Sequence, residues 1–205
     1  MKAKYYCLFI FYLLSSNVWA QKWTGMVDSD WRNPDNWDTG TVPGLGSVVI
    51  ISGRMPSYPA LVENVEVKSL TIGDGGRLDL AGHHLKTNGF LLISSAILIN
   101  SGEAVGTVEV TEEGCRLNSS SFYGDFQFRI TGRADFNEGM VSGPNTFEGN
   151  ITYLFESAKP CSVSLNWLSA YRKNLTVRRT IAGLTNLFTA RSDSSVAVWG
   201  DFTYE

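Results

Sequence analysis

The 205-residue sequence predicts an all-β protein wound as a solenoid with an aromatic N-terminal cap, a β-sandwich being the alternative. Three observations carry that prediction. First, residues 65–93 hold apolar pairs two apart, Val65/Val67, Leu70/Ile72, Leu78/Leu80 and Leu91/Ile93, the period that puts both side chains on one face of a strand. Second, Gly73-Asp74-Gly75-Gly76, Ala81-Gly82 and Asn88-Gly89 punctuate these beats at intervals too short for helices, with residues that tolerate positive φ. Third, paired hairpin turns of the primed type are missing, and the strands read shorter than those of a sandwich. A chain that turns every few residues buries its apolar beats by stacking one coil on the next.

Taken in order, the chain opens with Lys2 and Lys4, an apolar run from Tyr5 to Leu14, and Ser15-Ser16-Asn17-Val18-Trp19-Ala20. A basic front, a short apolar centre and a small last residue describe a secretory signal peptide over 1–20, cleaved after Ala20. Its apolar run is too short to cross a hydrocarbon layer of about 30 Å. The sequence carries 17 Lys+Arg and 20 Asp+Glu; loss of Lys2 and Lys4 leaves 15 against 20, a net charge of −5. That balance offers no basic stripe for phosphates, which argues against nucleic acid or an anionic membrane surface as partner. The mature chain is expected to be exported, without membrane insertion.

Residues 21–60 form the expected cap. Trp23, Trp31 and Trp37 fall within fifteen residues, and Gly40, Pro43, Gly44 and Gly46 lead into Val48. The first coil of a solenoid exposes an apolar end and unpaired backbone, and three tryptophans, each burying about 200 Å², suit its covering. Residues 61–205 then repeat the beats. Apolar–x–apolar triplets begin at Val49, Leu70, Leu91, Val108, Phe128, Ile151, Leu175 and Val196, in steps of 21, 21, 17, 20, 23, 24 and 21 residues. A coil of about twenty residues fits three short strands and three corners. The pattern stops at residue 205 in mid-strand, which reads as a fragment of a longer protein.

Trp23-Thr24-Gly25, Trp31, Asn36-Trp37, Gly40, Val42-Pro43, Val48 and Ile50, followed by Pro59 and Ser69-Leu70-Thr71-Ile72, resemble the start of large Gram-negative secreted surface proteins. Those are proteins of the autotransporter-passenger or type IX secretion cargo kind. Asn145-Thr146-Phe147-Glu148-Gly149-Asn150 and Asn174-Leu175-Thr176-Val177 are similar to coil phrases of that group. The resemblance implies a right-handed parallel β-helix, an outer-membrane or secreted location and an adhesive role. It carries over no catalytic residue.

Candidate chemistry is sparse. Asp28, Asp30, Asn33, Asp35, Asn36 and Asp38 form an acidic and amide run that could hold calcium, yet it lacks the glycine and the terminal glutamate of an EF-hand loop. Turn chemistry is the competing reading. His83 and His84 are neighbours, so on a strand they point to opposite faces and make no ligand pair. Asp125, Arg129, Arg133, Asp135 and Glu138 lie on consecutive strand and corner positions. They could form the acid/base set of an enzyme acting on acidic polysaccharides, with Asp125 and Arg129 on one face; surface charges alternating along a strand would look the same. Tyr123, Phe126, Phe128, Tyr153, Phe155 and Trp167 could line a sugar platform or stack inside the coils. Cys115 and Cys161, 46 residues apart, would sit about two coils or 10 Å apart at 4.8 Å per rung, too far for a disulfide, and are expected to be separate buried thiols. The function expected is a surface structural or adhesive solenoid without catalysis and without a cofactor, whose ligand is a glycan or a protein. A carbohydrate-active enzyme or binding module is the alternative.

Overall fold

The computed structural model describes residues 20–132, 136–137, 144–156, 163–164, 169–179 and 197–205. Its strands are β1 (Ala20–Lys22), β2 (Val48–Ser52), β3 (Val65–Gly73), β4 (Arg77–Asp79), β5 (His84–Leu92), β6 (Ile97–Ile99), β7 (Gly106–Leu117), β8 (Ser121–Tyr123) and β9 (Phe126–Ile130). There follow β10 (Phe136–Asn137), β11 (Thr146–Phe147), β12 (Ile151–Phe155), β13 (Val163–Ser164), β14 (Ala170–Tyr171), β15 (Leu175–Arg179), β16 (Ala197–Val198) and β17 (Phe202–Tyr204). Among the described residues the one helical element is a 3₁₀ turn at Pro34–Asn36.

One sheet runs β1-β2-β3-β5-β7-β9-β12-β15-β17, with β10 bridging β7 and β13, and the other runs β16-β14-β11-β8-β6-β4. Among the described residues every strand pair is parallel. The sole antiparallel contact among the described residues is the isolated bridge Trp23–Trp37. A sandwich of antiparallel sheets is therefore excluded, and the molecule is a parallel β-solenoid of about six turns.

Strands β3, β5 and β7 run to nine, nine and twelve residues, longer than the three to five that the apolar beats suggest. Each is two short strands joined at a corner. In β3 the buried positions go from Val67 to Leu70, in β5 from Leu85 and Thr87 to Phe90 and Leu92, and in β7 from Val108 and Val110 to Cys115 and Leu117. Strict alternation would place buried residues two apart, so each odd step marks a turn onto a new face. With β4, β6 and β8 as the third side, each coil has three strands and three corners.

The corner in β7 is longer than its neighbour. Thr87 pairs with Val110, but Gly89 pairs with Gly114, so Thr111-Glu112-Glu113 bulge outward over β5. Counted by register, successive rungs Leu85, Val108, Phe128, Tyr153, Val177 and Tyr204 are 23, 20, 25, 24 and 27 residues apart. Coil length drifts, because only the strand register is fixed by the ladder and corners can lengthen outward at small entropic cost. Leu70 stacks on Phe90, not on Leu91, whose side chain faces outward.

The core is a set of inward columns. Val49, Leu70, Phe90 and Cys115 stack on one face, and Phe128, Tyr153 and Val177 on another, all at most 2% exposed. Cys115 is thus buried, as expected; Cys161 and Trp167 lie outside the described residues. On the third face Phe122, Phe147 and Tyr171 stack in parallel, with ring centroids 4.4 and 4.5 Å apart and interplanar angles of 19° and 6°. Rungs about 4.8 Å apart leave room for one ring thickness per coil, so like side chains in register stack face to face. Phe126, Phe128, Tyr153 and Phe155 are all buried, whereas Tyr123 is 48% exposed.

The cap shares its sheets with the coils. Strand β1 pairs with β2, and isolated bridges Asp30–Ala60 and Ala60–Asp79 extend the second sheet into residues 21–60. Inside, Trp23, Trp31 and Trp37 are buried and packed edge to face, with centroids 5.0 and 4.8 Å apart. Trp37 Nε1 donates to Trp31 O at 2.9 Å and Trp23 Nε1 to Ser57 O at 2.8 Å, while Trp31 Nε1 is buried with no partner. Pro43 is buried at the edge of this unit, and Gln21, 8% exposed, donates to Thr39 and Thr41.

Candidate functional site

The parallel register brings distant charges together on the outer face of the first sheet. Glu66, Lys86, Glu109, Arg129, Leu154, Arg178 and Glu205 occupy successive rungs of one outward column. Lys86 Nζ lies 2.8 Å from Glu66 Oε1, Arg129 Nη1 lies 3.3 Å from Glu109 Oε2, and Arg178 Nε donates to Glu205 Oε2 at 2.7 Å. Opposite charges facing across rungs stabilise a sheet, and like charges there would destabilise it.

Arg129 is the hub of this column. Its Nε donates to Glu156 and its Nη1 to Glu109, whose carboxylate also accepts from Thr131 Oγ1 at 3.4 Å. His84 Nε2 sits 3.3 Å from Glu109 Oε2, although its geometry falls short of a hydrogen bond. The hydrogen bond that Arg129 donates to Glu156 raises the Arg129 pKa; burial opposes it and the charges of Glu156 and Glu109 add to it. A guanidinium so held keeps its proton, which suits an ion-pair ladder and not a catalytic base.

Asp125 has a different setting. It stands before β9 at a corner, where its Oδ1 accepts Asn150 N at 2.7 Å and its Oδ2 accepts Asn150 Nδ2 at 3.0 Å. Burial would raise its pKa, but the two Asn150 bonds and the Lys173 charge outweigh that and lower it. The motif repeats at this corner. Asn100 Nδ2 donates to Asp125 O, Asn150 Oδ1 accepts Asn174 N, and Asn174 Oδ1 accepts Asp201 N. Asp125 and Arg129 therefore serve two separate ladders, one at a corner and one on a face. Asp135, Arg133 and Glu138 lie outside the described residues.

A second corner ladder runs through Asn145, fully buried, whose Oδ1 accepts Ser120 N and whose Nδ2 donates to Leu117 O. These side chains give backbone groups at the corners hydrogen bonds beyond those of the strand ladders. Sequence reasoning missed both ladders as ladders. The signal was present as Asn or Asp at 100, 125, 150, 174 and 201, a near-constant spacing.

In residues 28–38 the polar groups are engaged with one another. Asp28 Oδ1 accepts Asp30 N and Asn36 Nδ2, and its Oδ2 accepts Asn33 Nδ2. Those bonds, Asn33 foremost, lower the Asp28 pKa against a small opposing effect of burial. Asp38 Oδ1 accepts Lys22 N, and Asn33 Oδ1 caps the 3₁₀ turn through Asp35 N. Asn36 is fully buried: its Oδ1 accepts Val27 N and Asp28 N, and its Nδ2 donates to Asp28 and to Asp30 O. The run thus does the work of turns around Trp31 and Trp37. Among the described residues no group of three His, Cys, Asp or Glu could hold a metal ion, and no helix is long and apolar enough to cross a membrane. Comparison with protein-family models, with curated proteins and with solved structures finds no match to this chain.

Proposed function

We propose that this chain is the exported shaft of a bacterial surface protein, a structural β-solenoid that presents its sides to a glycan or protein ligand and has no catalytic activity of its own. The observation that carries the reading is where the outward polar side chains point their bonds. Glu66, Lys86, Glu109, Arg129, Arg178 and Glu205 pair along the axis, and Asp125, Asn150 and Asn174 bond from corner to corner. Groups spent on holding rungs together serve rigidity; acid/base chemistry would need them to converge on one cleft with pKa values moved toward neutrality, whereas that of Asp125 is lowered and that of Arg129 raised. The apolar leader of residues 1–20 and the acidic mature chain support export.

The test is fractionation of a Gram-negative host producing the full chain, with sequencing of the mature N-terminus. A chain beginning at Gln21 and found at the cell surface or in the medium supports the reading. Retention in the cytosol with residues 1–20 intact would overturn it.

A further inference from the structure

One groove on the shaft has a composition unlike the ladders. It lies where the chain turns from the first sheet toward the second, and is open, about 650 Å³ in volume, with Arg54, Tyr58, Asp74, Arg77, Ser94 and Ser95 among its lining. Three successive coils contribute, through residues 54–58, 74–77 and 94–97. Met55 and Ile97 add apolar surface.

We infer that this groove binds an anionic saccharide, a chain of sugar rings bearing carboxylate or sulfate groups. The inference deepens the surface-protein reading and rests on it only for access to extracellular glycans. Its first support is charge. Arg32, Arg129, Arg172 and Arg178 are each matched to a carboxylate, whereas Arg54 and Arg77, like Arg116 and Arg179, make no ion pair among the described residues, and Arg54 and Arg77 line this one groove together. Two exposed guanidinium groups beside a single Asp74 make a locally positive strip on an acidic protein. A planar guanidinium presents two parallel N–H donors to a carboxylate or sulfate, and loses less on desolvation than an ammonium.

The second support is the rest of the lining. The Arg77 guanidinium sits over the Tyr58 ring, 5.0 Å from its centroid, a contact that holds the charge out along the groove wall. Tyr58, Ser94 and Ser95 bring hydroxyls able to donate and accept, as sugar hydroxyls require. An acidic peptide would match the arginines but has few groups for a row of hydroxyls.

The third support is rigidity. Asp74, Ser94 and Ser95 adopt positive φ of 52°, 55° and 65°, and Gly75 78°. The rungs are tied by Gly75 N to Ser94 O at 3.0 Å, Ser95 N to Ser119 O at 2.9 Å and Ile97 N to Gly76 O at 2.9 Å. A wall fixed in this way loses little conformational freedom on binding. The three coils that contribute its lining follow one another at about 4.8 Å, a rise of the same order as one linked sugar ring.

The test is calorimetric titration of the purified chain with an oligogalacturonate, with a neutral oligoglucoside and with oligoglutamate of equal charge. The expected result is binding of the oligogalacturonate alone, weakened as salt rises, and weakened at least tenfold in the double variant R54Q/R77Q. R172Q, outside the groove, is expected to bind as the parent does. All these side chains are exposed, so circular dichroism will show each variant folded. Absence of binding, binding unchanged in R54Q/R77Q, or equal binding of oligoglutamate would overturn the inference. None of these outcomes bears on export: a chain that binds but stays in the cytosol sinks the surface reading alone, and an exported chain that does not bind sinks this one alone.

Discussion

At the scale of single residues, the tryptophans of the cap are buried to the same degree but differ in hydrogen bonding. Trp37 Nε1 has Trp31 O, whereas Trp31 Nε1 has nothing. Replacing either of these two with Phe removes similar ring area, but Trp37→Phe leaves a buried carbonyl short of its donor, while Trp31→Phe removes an unsatisfied donor. A hydrogen bond contributes about 1 kcal/mol and an orphaned buried group costs about 1–3 kcal/mol. Trp37→Phe is therefore expected to destabilise by ~1–2 kcal/mol more than Trp31→Phe, read from urea midpoints. Equal losses would contradict the assigned bonds. That the three tryptophans would pack together was legible in their bulk and spacing; which indole would be satisfied was not, because it depends on the fully buried Asn36 that fixes the turn.

Two aspartates make stability depend on pH. Asp28 and Asp125 have folded pKa values below the ordinary aspartate value of about 3.9. The unfolded chain takes up protons first, so this contribution is present above about pH 4 and is lost as pH falls through the lower folded values. Asp125→Asn should have a smaller drop in thermal midpoint between pH 6 and pH 3 than the parent. An unchanged or larger drop would remove Asp125 from the account. Calcium is expected to leave the midpoint where it was, since both Asp28 oxygens already accept protein donors.

At the scale of elements, corners and ladders divide the labour. At Gly149 an added Cβ would fall 1.8 Å from Gly124 O, where the next coil's backbone passes, whereas at Gly44 it would meet nothing within 4 Å. Gly149→Ala must push two rungs apart and is expected to destabilise by ~2 kcal/mol or more, in line with strain and overpacking. Gly44→Ala should stay within about 0.5 kcal/mol of the parent. Urea unfolding of the pair checks it, and a harmless Gly149→Ala would mean the coils are not stacked as described.

Along the face, Arg129→Gln leaves Glu109, a carboxylate whose side chain is 12% exposed, without its arginine. The expected cost is ~1–2 kcal/mol, small because the Arg129 side chain is 39% exposed. Adding Glu109→Gln should restore part of that loss in a double-mutant cycle, and a zero coupling energy would deny the pairing. Arg129 was legible as a charged strand residue. Its partners were not, since Glu109 and Glu156 lie 20 and 27 residues away and reach it only through the register. The register in turn depends on the bulge at Thr111-Glu112-Glu113, which nothing in the apolar beats announces.

At the scale of the whole molecule, stability is a sum of neighbouring coils, as in other quasi-one-dimensional folds. The all-β class and the three-sided coil were legible in short apolar beats between turn residues; that the beats are buried by stacking and not in a sandwich was decided by the parallel register. Coil length was less legible: rung steps range from 20 to 27 residues because corners vary while strands keep step. The claim on which everything rests is that Thr107, Gln127, Thr152, Thr176 and Thr203 occupy successive rungs of one outward column.

Electron–electron distance measurement tests this directly, with spin labels placed through unnatural amino acids so that Cys115 and Cys161 are untouched. From a label at Thr107, partners at Thr152, Thr176 and Thr203 should lie about 10, 14 and 19 Å away, rising by one 4.8 Å rung each time. Distances that fail to rise in that order, as two facing antiparallel sheets would give, would contradict the solenoid.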